Sequence, residues 1–123
     1  MAGRSFVRAV KAASTPGPTL QFGKGVLNRV SFTTNANDTV SLPQTQKNDI
    51  GKEIDVYAVQ GFELISAEAG GKINDVIVGA TNELAVVAGT FLRLKVVAID
   101  TWLCICSTLI DGTQSKHVPD TLA

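Results

Sequence analysis

From Val26 onward, hydrophobic and polar positions alternate with a period of two over short runs, and clusters of Gly, Asn, Asp and Pro separate the runs. Val26, Val30 and Phe32 mark a first strand, and Val40 and Leu42 a second after the polar turn 35–38. Pro43 ends that second strand because it cannot donate to a ladder. After the polar loop 44–49, Ile54, Val56 and Ala58 alternate with Asp55 and Tyr57, and 62–67 reads as the hairpin partner of that strand. Gly70 and Gly71 predict a tight turn before a short strand over 73–78, and a further apolar strand covers 84–87.

The stretch 89–106 reads as a closing hairpin. Leu92, Leu94 and Val96 alternate with Arg93 and Lys95, and Asp100 with Thr101 forms the turn. On the return strand, Trp102, Cys104 and Cys106 fall on one face and Leu103 and Ile105 on the other, so the strand is expected to be covered on both sides. The expected fold is all-β: a single antiparallel β-sandwich or jelly-roll-like barrel of about eight short strands with an extended N-terminal arm. The expected organisation is a basic arm over 1–24, a β-sandwich over 25–107 and a polar tail over 108–123.

The arm differs in character from the rest. Drawn on a helix, Arg4, Arg8 and Lys11 share one side while Phe6, Val7 and Val10 occupy the other, but the segment is too short to hold a helix alone. Pro16, Gly17 and Pro18 interrupt regular structure and form a stiff hinge. Such an arm orders on a partner, packs on its own domain, or stays disordered.

Charge sharpens this picture. The 123 residues carry eleven cations and eleven acids, yet Arg4, Arg8, Lys11, Lys24 and Arg29 precede the first acid, Asp38. A basic N-terminal side therefore joins an acidic body, which suits an anionic partner or a complementary protein patch. The acids are scattered through turns and alternating positions, as on a solvated face, and propose no general acid and base pair. His117, the sole histidine, sits in the polar tail without the Cys or carboxylate neighbours a metal would need. Cys104 and Cys106, about 6.6 Å apart at normal strand rise, would make a strained disulfide and read as buried free thiols in a reducing compartment.

No cofactor is expected. The glycines of GFELISAEAGGK lack Walker spacing, and the few aromatics with an acidic surplus argue against a nucleic-acid platform. No run is long and apolar enough to span a membrane as a helix, and the basic, interrupted N-terminus argues against a secretory signal. Trp102 in an apolar strand reads as a packing residue, with sugar stacking as the alternative.

The order of segments is itself informative. TVSLP, then IGKEIDVYAV, a Gly-rich turn with GKI, LAVVAGTFLRLKVV and finally DTWLCI together resemble a β-domain of tailed-bacteriophage virion proteins, over roughly residues 38–106. The resemblance implies structural roles for Leu42, Pro43, Gly51, Lys52, Gly89 and Trp102, and no catalytic residue. It also implies a non-enzymatic capsid decoration (cement) protein, commonly a homotrimer, that assembles in the host cytoplasm and clamps neighbouring major capsid subunits on the virion surface. On that expectation Phe6, Val7, Val10 and Phe22 are apolar anchors, and Arg4, Arg8 and Lys11 face acidic shell positions. Alternatives are a head or tail fibre module that binds a host receptor or glycan through exposed loops, and a small enzyme or carbohydrate-binding domain.

Overall fold

A computed structural model describes residues 6–13, 17–22, 26–32, 38–66, 68, 70–78, 82–109 and 120–121. Its strands are β1 (Phe6–Lys11), β2 (Val26–Phe32), β3 (Thr39–Leu42), β4 (Glu53–Ala58), β5 (Phe62–Ser66), β6 (Lys72–Ile73), β7 (Val76–Ile77), β8 (Asn82–Val86), β9 (Phe91–Ala98), β10 (Thr101–Thr108) and β11 (Asp120–Thr121). They form a seven-stranded sheet, β1-β2-β4-β9-β10-β6-β7, and a four-stranded sheet, β11-β8-β5-β3. Period-two patterning becomes one-sided burial along β4 and β9: Ile54, Val56, Ala58, Leu92, Leu94 and Val96 are buried, and the residues between them are half-exposed. The all-β sandwich expected from alternation is the observed architecture.

The pairing is mixed rather than antiparallel. β1 runs parallel to β2, β2 to β4, and β3 to β5, whereas β4, β9 and β10 are joined antiparallel. Parallel neighbours need a crossover, and here each crossover passes through the opposite sheet. β1 leads into a strap, described over 12–13 and 17–22, that joins the edge of β3, with Ser41 N–H donating to Pro18 O and Leu20 N–H to Ser41 O, both at 2.8 Å. The chain then returns to β2, crosses to β3, returns to β4 and crosses to β5. The first half is thus a two-layer coil of successive parallel rungs. The hairpin expected between 52–59 and 62–67 does not form, because β5 belongs to the other sheet, and the strands before and after the 35–38 turn, β2 and β3, also lie in opposite sheets.

The two termini also depart from expectation. Phe6–Lys11 is neither helical nor a free arm; it is the first rung, with Val10 (4% exposed) and Ala12 (3%) in the core. Asp120–Thr121, expected in a polar tail, pairs antiparallel with Asn82 and Glu83 of β8. The rest of the segment from 110 to 119, including His117, lies outside the described residues. The strap seats so closely that a Cβ on Gly17 would meet Thr39 O at 1.8 Å. The stretch 73–78 is a hairpin rather than one strand: Asn74 (φ 51°) and Asp75 (φ 65°) make the paired left-handed turn that Asn and Asp tolerate best.

The core lies between the sheets and includes Val30, Val40, Leu42, Ile54, Val56, Phe62, Leu64, Leu92, Leu94 and Trp102, each at most 1% exposed. Leu42 is fully buried and Pro43 follows the last residue of β3. Gly51 (φ 97°) and Gly89 (φ 87°) occupy left-handed turn positions, where Gly51 N–H donates to Val96 O (2.8 Å) and Gly89 N–H to Ala58 O (2.7 Å).

Candidate functional site

The closing hairpin turns its tryptophan inward. Trp102 is 1% exposed, Phe22 from the strap stacks on it with ring centroids 5.4 Å apart, and Lys52 Nζ lies 5.6 Å from the Phe22 centroid. A sugar cannot reach a ring covered in this way, so Trp102 is a packing residue whose buried Nε1 has no hydrogen-bond partner among the described residues. The hairpin tip is fixed as well: the Asp100 carboxylate accepts from Thr45 N–H (2.7 Å) and Thr45 Oγ1 (3.2 Å), and Asp100 N–H donates to Thr45 Oγ1. The turn residues are Ile99 and Asp100, since Ala98 pairs with Thr101.

A bulge alters the return strand. Cys104 pairs with Leu94 and Cys106 with Arg93, so Ile105 is the extra residue and the two cysteines take opposite faces. Strict alternation had placed them together. Cys104 packs against the core, where burial pushes its thiol pKa up. Leu103 and Ile105 are each 44% exposed, so this strand is not covered on both sides.

The outer face of the seven-stranded sheet carries a ladder of ion pairs. Glu53 stands opposite Lys95, Asp55 opposite Arg93, and Tyr57 opposite Phe91 across β4 and β9. Arg93 forks onto Asp55 through Nε (2.7 Å) and Nη2 (3.1 Å), which pushes the guanidinium pKa further up. These charges neutralise one another in place. Three acids are not on any solvated face: Asp38, Glu63 and Glu83 are 7%, 7% and 5% exposed. Glu63 alternates with Phe62 and Leu64 of the core and so lies on the far face of the four-stranded sheet, opposite exposed Ala85 of β8.

The basic N-terminal side has a different character. β1 is the terminal strand of its sheet; Val7 is 58% exposed, and Ala9 and Lys11 are also exposed. Arg29 on β2 stands opposite Ala9, is exposed, and makes no ion pair among the described residues. Arg8 donates through Nη1 to the Asn28 amide oxygen at 3.2 Å. Asn28, fully buried on β2, also accepts from Gln21 N–H (3.2 Å) and donates to Gln21 O (3.1 Å) and Asp55 O (3.0 Å). This amide fastens the strap to the first two rungs.

No protein family, curated protein or solved structure matches the chain.

The proposed anchors therefore separate into two groups. Val10 lies in the protein's own core and Phe22 is packed on Trp102, so neither is free to enter a partner. Val7, Arg8 and Lys11 lie on the terminal strand. The Phe6 side chain and all of Arg4 lie outside the described residues. Sequence reasoning missed Asn28 because a polar residue at an inward strand position reads as a break in the pattern. Its signal was that position: Asn28 falls between Val26 and Val30, where a hydrophobic residue is expected.

Proposed function

We propose that the chain is a non-enzymatic structural protein of a bacteriophage virion. In this reading it is a decoration protein that trimerises and clamps neighbouring major capsid subunits. The observation that carries the reading is the basic N-terminal side: β1 and β2 carry Arg8, Lys11 and Arg29 and no acid, and exposed Arg29 makes no ion pair among the described residues. A protein that cements a shell needs a rigid body and a surface for an acidic neighbour, and it needs no chemistry. Attachment then runs through the exposed side of the first rung rather than through a free arm. Three copies joined in one trimer raise the effective concentration of each contact, so individually weak contacts hold collectively.

Cosedimentation of the full-length protein with bare capsids tests the reading, with light scattering for the trimer. Binding to shells that weakens with added salt is the expected result. A protein that ignores shells but binds host cells is instead a fibre module, and a monomer at high concentration removes the trimer.

A further inference from the structure

We propose that the outer face of the seven-stranded sheet binds a glycan bearing a carboxylated sugar, with Tyr57 and Phe91 beneath the sugar rings and Arg29 on the carboxylate. The inference goes beyond shell attachment and concerns a ligand that reading does not supply. One register row crosses five strands: Ala9, Arg29, Tyr57, Phe91 and Thr108 stand side by side on β1, β2, β4, β9 and β10. Asn28 and Val30 flank Arg29, Val56 and Ala58 flank Tyr57, and Thr90 and Leu92 flank Phe91, all of them buried. Alternation therefore turns Arg29, Tyr57 and Phe91 outward together.

The row supplies what a sugar ring needs. Tyr57 and Phe91 stand one strand spacing apart, about 5 Å, as an apolar floor for the C–H face of a pyranose. They are half-buried and do not stack on one another. Arg93, forked onto Asp55, lies 5.9 Å from the Phe91 centroid and steadies that ring. Arg29 is exposed, and neither its guanidinium nor the Tyr57 hydroxyl has a polar partner among the described residues. Charge then selects the occupant. In the adjoining rows Arg93 and Lys95 already face Asp55 and Glu53, so Arg29 is the cation left for a ligand, and one planar fork suits one carboxylate. A polynucleotide would carry a phosphate at every residue past Asp55 and Glu53, which repel it. Sugar hydroxyls instead donate to those carboxylates and accept from the guanidiniums. Arg29 to Phe91 spans two strand spacings, about 10 Å, the length of a disaccharide.

The test is an NMR titration of the full-length protein with sialyllactose and, separately, with a hyaluronan tetrasaccharide, each taken to millimolar concentration, with lactose and a short oligothymidylate as controls. The expected result is a set of shift changes centred on Arg29, Tyr57 and Phe91 with at least one acidic sugar, and weaker binding of lactose. R29M should weaken the acidic sugar about fivefold and leave lactose unchanged. Y57T, which keeps a strand-forming residue, should abolish sugar binding while the amide spectrum stays native. An unshifted face with both acidic sugars, lactose binding as tightly as they do, or tighter binding of the oligothymidylate would each overturn the proposal. Arg29 is shared with the shell-attachment reading, and Tyr57 separates the two: Y57T should still cosediment with capsids. Shell binding without sugar binding removes the glycan site and leaves the decoration reading, and sugar binding without shell binding does the reverse.

Discussion

Replacing Asn28 with alanine should cost more than its single amide suggests. The side chain is fully buried and makes four hydrogen bonds: to both backbone groups of Gln21, to Asp55 O, and from Arg8. A hydrogen bond contributes a net ~1 kcal/mol, and a partner left buried without one costs more. Gln21 is on the surface, so water can replace part of what is lost there, whereas Asp55 O lies within the sheet. The expected loss is about 2–4 kcal/mol. Urea unfolding followed by Trp102 fluorescence measures it, and the same probe reports the strap, because Phe22 follows Gln21 and stacks on the indole. N28L separates polar satisfaction from packing: it restores volume but no hydrogen bond and should remain destabilised. N28D keeps an acceptor for Arg8 and Gln21 N–H but removes the donors to Gln21 O and Asp55 O, so it should also be destabilised at neutral pH. A loss below about 1 kcal/mol for N28A, or full recovery in N28L, would refute the view that this amide holds the strap by hydrogen bonding.

D100G should keep the left-handed turn while losing the Thr45 clamp, and D100A should cost a further ~1 kcal/mol for a Cβ at φ 50°; thermal unfolding of the two variants measures the difference. G17A should destabilise the protein strongly in the same assay, because backbone at Thr39 O occupies the space of the new methyl. Thiol titration with a disulfide reagent should find one fast group, Cys106, and one slow group, Cys104, with no intramolecular disulfide after mild oxidation. The Asp49 carboxyl should titrate below its ordinary 3.8, because Lys52 Nζ donates to it at 2.7 Å and Gln46 N–H donates as well. Its contribution to stability is present above the unfolded pKa and fades as pH falls through the folded one; carboxyl NMR should show K52M moving the titration back up.

Local pattern was enough to place most strands. Alternation in β4 and β9 transferred directly into burial because both strands have one face in the core and one in solvent, the condition under which period two is informative. It was also enough to mark Trp102 as a packing residue and Pro43 as a strand end. It failed where burial was two-sided or the period slipped. Thr39, Ser41 and Glu63 look polar and solvated in sequence, yet β3 and β5 are buried throughout. One inserted residue at Ile105 moved Cys106 to the opposite face from Cys104.

By itself, then, the sequence determined the all-β class, most strand positions between 26 and 108 and the basic character of the N-terminal side, since each depends on side chains within a few residues of one another. The tertiary structure alone decided which strands pair. A strand's backbone groups accept any neighbour, so partner and direction are set by how the whole chain closes its core, and that closure placed β2 and β3, β3 and β4, and β4 and β5 in opposite sheets. The same closure drew Phe6–Lys11 in as a first rung, consumed Val10 and Phe22 as packing, and left the exposed side of β1 as the surface on which attachment is proposed.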